Sequence, residues 1–166
     1  MTSKLYSYLF LVFVGTVVML LSFVFQEGQS QDEVLKEERE LYLQAVKNIQ
    51  NTEAIDETLL IFEYFTEKYP ERYEIWRNQG LALAVKQNYQ SSVDSFSNAL
   101  ELQPFLITDP VFDLQYANSL INSKVYDKSK VLLEVAQESG GLPQKYEENV
   151  DKLMKEIEEN TGDQDD

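Results

Sequence analysis

Residues 73–106 carry the feature that limits the fold most, because large and small side chains alternate there at the spacing of two adjacent helices. Small residues let two helices approach closely, and large residues fill the space between them. The run therefore predicts a helical hairpin, which cannot bury its apolar face alone and needs neighbouring hairpins. The alternating positions are Trp76, Gly80, Leu83, Tyr89, Ser92, Phe96, Ala99 and Pro104.

These eight positions resemble the 34-residue tetratricopeptide pattern, in which aromatic, small, Ala and Pro positions recur in one register. The resemblance implies an all-α fold, a right-handed solenoid of about three helical hairpins. Proteins of this superfamily hold peptide segments of other proteins, so the resemblance implies a binding surface and not catalysis. It does not select a subfamily.

Two less regular units flank the central one. Residues 39–72 repeat the pattern, with Phe65 where Ala is usual. Residues 110–143 repeat it after a three-residue insertion within residues 105–109. In this third unit Asp113 occupies the position of a large aromatic residue, and we expect Phe112 beside it to substitute.

Breakers and caps divide the repeat domain, residues 33–160, into helices. Residues 144–160 have apolar side chains at helical spacing and a charged opposite face, which predicts a helix that caps the last apolar edge. The six helices predicted before it lie near 33–50, 54–69, 73–87, 90–103, 110–123 and 126–138.

The N-terminal region predicts a membrane anchor. Residues 5–25 contain no charged side chain. As a helix rising ~1.5 Å per residue they would span ~31 Å, about the hydrocarbon thickness of a bilayer. A short flank, residues 1–4, precedes this transmembrane helix, and a polar linker, residues 26–32, follows it. A cleaved signal peptide is the alternative, but its apolar region would be shorter, ~7–15 residues.

The basic residues near the span predict its orientation. Lys4 and the terminal amine precede it, whereas the nearest basic residues after it are Lys36 and Arg39. The positive-inside rule then places the N-terminus in the cytoplasm and the repeat domain on the periplasmic or lumenal side. The acidic residues at 161–166 predict a disordered tail.

Composition excludes several function classes. The net charge of −15 repels nucleic acid phosphates, so we expect no nucleic acid partner. The chain has no His and no Cys, which removes Ser–His and Cys–His nucleophile pairs and the common zinc sites. We therefore predict no catalytic residue, no metal site and no cofactor.

The resemblance also implies which residues line the concave groove, because the first helix of each unit faces it. Asn and Gln could hold an extended peptide backbone, and Leu could form apolar pockets. A clamp for a terminal carboxylate, built from Lys, Arg and Asn, is the alternative that the chaperone-tail version of this fold suggests. The predicted groove residues are Leu43, Lys47, Gln50, Arg77, Asn78, Leu81, Leu114, Asn118 and Asn122.

One anchor, three repeats and an acidic tail resemble the layout of membrane-tethered assembly factors of bacteria and organelles. This layout implies an adaptor that holds a peptide segment of a membrane-associated complex during assembly or biogenesis. A self-associating membrane organiser, which would form homo-oligomers, and a cytosol-facing targeting receptor are the alternatives. No shared functional residue supports the comparison, which rests on layout alone.

Overall fold

The computed structural model describes residues 16, 17, 19 and 31–162. It divides the chain into two compact units, Met1–Leu41 and Tyr42–Asp166. In the first unit, residues 31–41 are helical, including residues 31 and 32 of the predicted linker. Apart from residues 16, 17 and 19, which are helical, the predicted anchor lies outside the described residues. No helix within the described residues is both long and apolar enough to cross a bilayer.

The second unit consists of helices throughout its described part, as the all-α prediction requires. Each helix predicted from residue 54 onward is present, with its ends shifted by no more than two residues. Of the first predicted helix, near 33–50, residues 42–48 are helical in this unit. A short 3-10 helix, Pro104–Thr108, forms where the insertion was predicted. The α-helices are α1 (residues 42–48), α2 (Ile55–Lys68), α3 (Tyr73–Val85), α4 (Tyr89–Leu102), α5 (Pro110–Asn122), α6 (Tyr126–Glu138) and α7 (Gln144–Thr161).

Side-chain caps fix the start of two helices. The Asn88 carboxamide oxygen accepts a hydrogen bond from the Ser91 amide at 3.4 Å, at the start of α4. The Asp109 carboxylate accepts from the Val111 amide at 3.0 Å and from the Phe112 amide at 3.3 Å, at the start of α5. Each cap satisfies amides that have no partner inside the helix.

The turns within the second and third hairpins are equivalent. Gln87 and Lys124 both have φ near +63°, at 63° and 62°. After them, the Asn88 amide donates to the Leu83 carbonyl and the Val125 amide to the Leu120 carbonyl, both at 2.9 Å. The two turns lie one repeat plus three residues apart, which agrees with the predicted insertion.

Successive helices pack against one another along the chain from α2 to α7. One buried cluster spans α1, α2 and α3, and a second spans α4 to α7, while Leu81 packs against both. In the second cluster the Phe96 ring meets Phe112 edge-on at 5.6 Å. Phe112 is fully buried and thus takes the aromatic role predicted for it.

Gly80 is required by the close approach of α3 and α4. A Cβ atom at this position would lie 3.1 Å from the Phe96 ring, which is fully buried and has little room to move. The last helix, α7, contacts α5 and α6 and buries Val150 and Ile157. It covers the end of the array as a capping helix does. Residues 163–166 of the predicted tail lie outside the described residues.

Candidate functional site

Polar contacts connect the first helices of successive repeats. The Asn78 amide on α3 donates to the Tyr42 hydroxyl on α1 at 2.7 Å, and that hydroxyl donates to the Glu74 carbonyl at 3.5 Å. Burial raises the pKa of Tyr42, so the phenol stays neutral at physiological pH. On the other side, Arg77 pairs with Asp109 at the start of α5 at 3.1 Å. These contacts hold α1, α3 and α5 side by side.

The residues of α3 that face α4 and the predicted groove residues of α3 lie on different sides of the helix. Trp76, Gly80 and Leu83 cluster on one side of the helix, and Gly80 meets α4 through Phe96. At 100° per residue, Arg77 and Leu81 lie on a different side. The predicted groove positions of α3 therefore do not face its partner helix in the hairpin.

The structure places the nine predicted groove residues in three environments. Leu43 is 53% exposed, and Lys47, Gln50 and Asn122 are exposed. Arg77, Asn78, Leu81 and Asn118 are half-buried, and Leu114 is 7% exposed within the second buried cluster. Three of the four exposed side chains thus lie on α1 or just after it, and the fourth, Asn122, lies at the end of α5.

The two predicted cations differ in their availability. The Arg77 guanidinium pairs with Asp109, lies 5.7 Å from the Phe112 ring centre and donates to Gln115 at 3.5 Å. Its charge is therefore compensated within the repeat domain. Lys47 is exposed and forms no ion pair with the residues described. Of the two predicted groove cations, Arg77 is therefore paired and Lys47 has no ion pair among the described residues.

The amides of the predicted groove are also partly engaged. Asn78 is held by Tyr42, as described above. The Asn122 amide donates to the Asn118 carbonyl at 2.8 Å and to the Asn118 side-chain oxygen at 3.3 Å, one helical turn earlier. The free donor capacity of Asn118 is therefore the main amide contribution of α5 to a bound peptide.

We predict a measurable coupling between Arg77 and Asp109. Arg77→Gln, Asp109→Asn and the double variant form a cycle in which Asn keeps the cap of α5. Because both side chains are partly exposed, at 25% and 36%, the coupling should be roughly 0.5–1 kcal/mol. Urea unfolding of the full chain gives this number. Additive effects of the two single changes would show that the pair does not link α3 to α5.

Asp113 is a buried carboxyl group whose burial the sequence did not predict. Asp113 on α5 is 1% exposed, and neither of its carboxylate oxygens has a hydrogen-bond partner within the described residues. Burial, and then the negative charge of Asp109 one turn earlier, raise the pKa of Asp113 to about 7. The sequence feature that could have indicated this buried acid is its position, since the repeat pattern has a large aromatic residue there.

Among the comparisons with known proteins, the comparison with solved structures is the one that gives matches. No protein-family model matches the chain, and no curated protein does. The TPR2B domain of yeast Sti1, solved in complex with pHsp70, matches with a TM-score of 0.60 at 15% identity, over 75% of this chain and 98% of that domain. The chain has a tetratricopeptide-like fold. At this level of identity the similarity establishes the fold and nothing further.

Two structures of a bacterial chaperone share this tetratricopeptide-like fold. SycD, the type III secretion translocator chaperone of Yersinia enterocolitica, matches with a TM-score of 0.57 at 16% identity, over 73% of this chain and 81% of SycD. SycD with a peptide of the translocator YopD matches with a TM-score of 0.56 at 16% identity, over 73% and 89%. SycD, which is similar in fold to this chain, thus binds a peptide segment of another protein.

Proposed function

We propose that this chain is a membrane-anchored adaptor that holds a peptide segment of a partner protein against α1, α3 and α5. The observation that carries the proposal is the polar linkage of these three helices, through Asn78 with Tyr42 and Arg77 with Asp109, which brings α1, α3 and α5 next to one another. The binding of a YopD peptide by SycD and of pHsp70 by the TPR2B domain of Sti1 supports a peptide as the ligand. The proposed function is binding rather than catalysis.

The groove chemistry favours an extended segment with apolar side chains over a terminal carboxylate. Leu43 and Leu81 offer apolar contact, while Asn118 offers a donor and an acceptor to a peptide backbone. Arg77 is compensated by Asp109, so a ligand carboxylate would have to displace an existing partner. Lys47 is the predicted groove cation that has no ion pair among the described residues.

The membrane part of the proposal rests on the uncharged run at residues 5–25. We propose that it anchors the chain, with the N-terminus in the cytoplasm and the repeat domain on the periplasmic or lumenal side. Tethering raises the effective concentration of the groove near membrane partners without any new contact. An assembly or biogenesis factor for a membrane complex is the role that fits these properties.

Site-directed photo-crosslinking in native membranes tests the proposal. A photo-reactive amino acid is placed at Asn122, an exposed groove position, and in a control at Lys130, an exposed position on α6. We expect one dominant partner to crosslink from Asn122 and not from Lys130. Crosslinks only to other copies of the chain would support the self-associating organiser. The same products from both positions would contradict a groove-specific adaptor.

A further inference from the structure

A second concave feature lies outside the proposed groove. Helices α2 and α4 flank a cleft of about 330 Å³ whose lining includes one side of α3. This volume is within the ~300–1,000 Å³ range of ligand sites. The residues that line it are Leu59, Glu63, Trp76, Gln79, Leu83, Ser91, Asp94, Ser95 and Asn98.

The cleft lies on the opposite side of α3 from the groove residues. At 100° per residue, Trp76, Gln79 and Leu83 fall within about 60° of one another around the helix axis. Their mean direction is about 150° from that of Arg77 and Leu81 by the same geometry. A ligand could therefore occupy this outer cleft while a peptide occupies the groove.

The lining combines an apolar floor with an acidic rim. Leu59, Trp76 and Leu83 are half-buried, whereas Glu63 and Asp94 are exposed. No Lys or Arg is among the lining residues. Neither carboxylate forms an ion pair with any residue in the described ranges. The outer cleft thus carries two uncompensated negative charges above apolar surface.

Hydrogen bonds fix the orientation of the floor. The Trp76 indole N–H donates to the Pro70 carbonyl at 2.8 Å, which holds the ring in one position. The Ser95 hydroxyl donates to the Gln79 side-chain oxygen at 2.9 Å and joins α4 to α3 beneath the cleft. A ligand would therefore meet a preformed surface, which lowers the entropy cost of binding.

The chemistry of this lining selects an arginine side chain. Trp is the strongest aromatic partner for a cation placed over its ring. A guanidinium group is planar and weakly hydrated, and it can stack on an aromatic ring while it donates to carboxylates at its edges. The chain's net charge of −15 attracts basic segments in general, and the outer cleft supplies a specific contact for one of them.

We propose that the outer cleft binds an arginine side chain of a basic partner segment, with the guanidinium stacked on Trp76 between Glu63 and Asp94. The chain would then hold two protein segments at once, one on each side of α3. The outer cleft and the groove lie on different sides of α3. The result of a test on one of them therefore does not decide the proposal made for the other.

Trp76 is the only tryptophan of the chain, so its fluorescence reports on the outer cleft directly. The probe is the acetylated and amidated peptide Gly-Leu-Arg-Leu-Gly, and the control peptide has citrulline, a neutral isostere, in place of Arg. We expect a saturable change in Trp76 fluorescence of the full chain with the Arg peptide. The citrulline peptide should bind at least tenfold more weakly.

Matched acid variants separate a specific site from general attraction. Glu63→Gln with Asp94→Asn removes two charges from the outer cleft, whereas Glu134→Gln with Glu138→Gln removes two exposed charges from α6. We expect at least a tenfold loss of affinity for the Arg peptide in the first pair alone. Equal losses in both pairs, or equal titrations with the two peptides, would overturn the proposal.

The groove variant Leu43→Glu with Lys47→Glu provides the last comparison. Both residues are exposed and lie on α1, away from the outer cleft. Because the variant adds negative charge, we expect it to bind the Arg peptide at least as tightly as the unchanged chain does. A parallel loss in this variant would show that the peptide occupies the groove, which would remove the outer cleft as a site and leave the groove in place.

Discussion

Asp113→Asn should stabilise the protein by on the order of 2–4 kcal/mol at pH 8 and change its stability little near pH 4, since each pKa unit corresponds to ~1.4 kcal/mol. The reason is the cost of a buried charge without a hydrogen-bond partner. Asp113 is 1% exposed, and Asn keeps its shape while it removes the charge. Urea unfolding of the full chain across this pH range measures the difference.

The direction of the pH dependence follows from the pKa values of the two states. The pKa of Asp113 is about 7 in the folded chain, against 3.8 for an aspartate side chain in its ordinary state. Between these values the folded state holds a proton that the unfolded state has released, so stability falls as pH rises. This loss of stability is half-way through its last step at the folded-state pKa and is complete about one pH unit above it. Asp109, whose negative charge contributes to the raised pKa of Asp113, is itself paired with Arg77.

Asp127→Asn is the matched control for this prediction. Asp127 also lies in the first turn of its helix, α6, but it is exposed. The same chemical change there should alter stability by no more than about 0.5 kcal/mol at any pH, as surface substitutions usually do. A stability difference between Asp113→Asn and the unchanged chain that does not vary with pH would contradict the account of a buried titrating carboxyl.

Phe96→Ala should destabilise the chain by about 3–5 kcal/mol, the range for buried Phe-to-Ala changes. The Phe96 ring is fully buried on α4, lies over Gly80 of α3 and contacts Phe112 and Tyr116, each at 5.6 Å. Its removal leaves a cavity between the second and third repeats. The free energy of unfolding, measured in urea at pH 6, gives the effect.

Phe105→Ala makes the same chemical change on the surface. Phe105 belongs to the 3-10 helix after α4 and is 77% exposed. We expect a change in unfolding free energy below about 0.5 kcal/mol. Comparable losses from Phe96→Ala and Phe105→Ala would mean that the aromatic contacts of Phe96 do not hold the two repeats together.

The sequence predicted the helices well because local signals mark them. Asn88 and Asp109 cap α4 and α5, and the repeat pattern places small residues such as Gly80 opposite large ones such as Phe96. These signals act over a few residues or recur at a fixed period, so they can be read from one chain. The structure confirms the helical architecture from α1 to α7 for the described residues.

The contacts of the groove could not be predicted in the same way. The pair of Arg77 and Asp109 joins residues of different repeats, and it depends on the 3-10 helix that the insertion forms. The pattern assigned Arg77 to the groove without its partner. The pattern also did not predict that Asp113 is buried. It assigns a class of residue to each position, but it does not tell which neighbouring side chains cover that position. The role of the nine groove residues remains a prediction.

The adaptor proposal is tested most directly by a binding measurement. The partner segment that the crosslinking identifies is titrated with two matched surface variants of this chain. Leu43→Glu with Lys47→Glu changes the groove face, and Val131→Glu with Lys130→Glu makes an equivalent change on exposed positions of α6. The segment is synthesised with a fluorescent label, and its anisotropy is titrated with each full-length chain. We predict at least a tenfold loss of affinity for the groove variant and no change for the α6 variant. Equal affinities of the two variants would contradict the account.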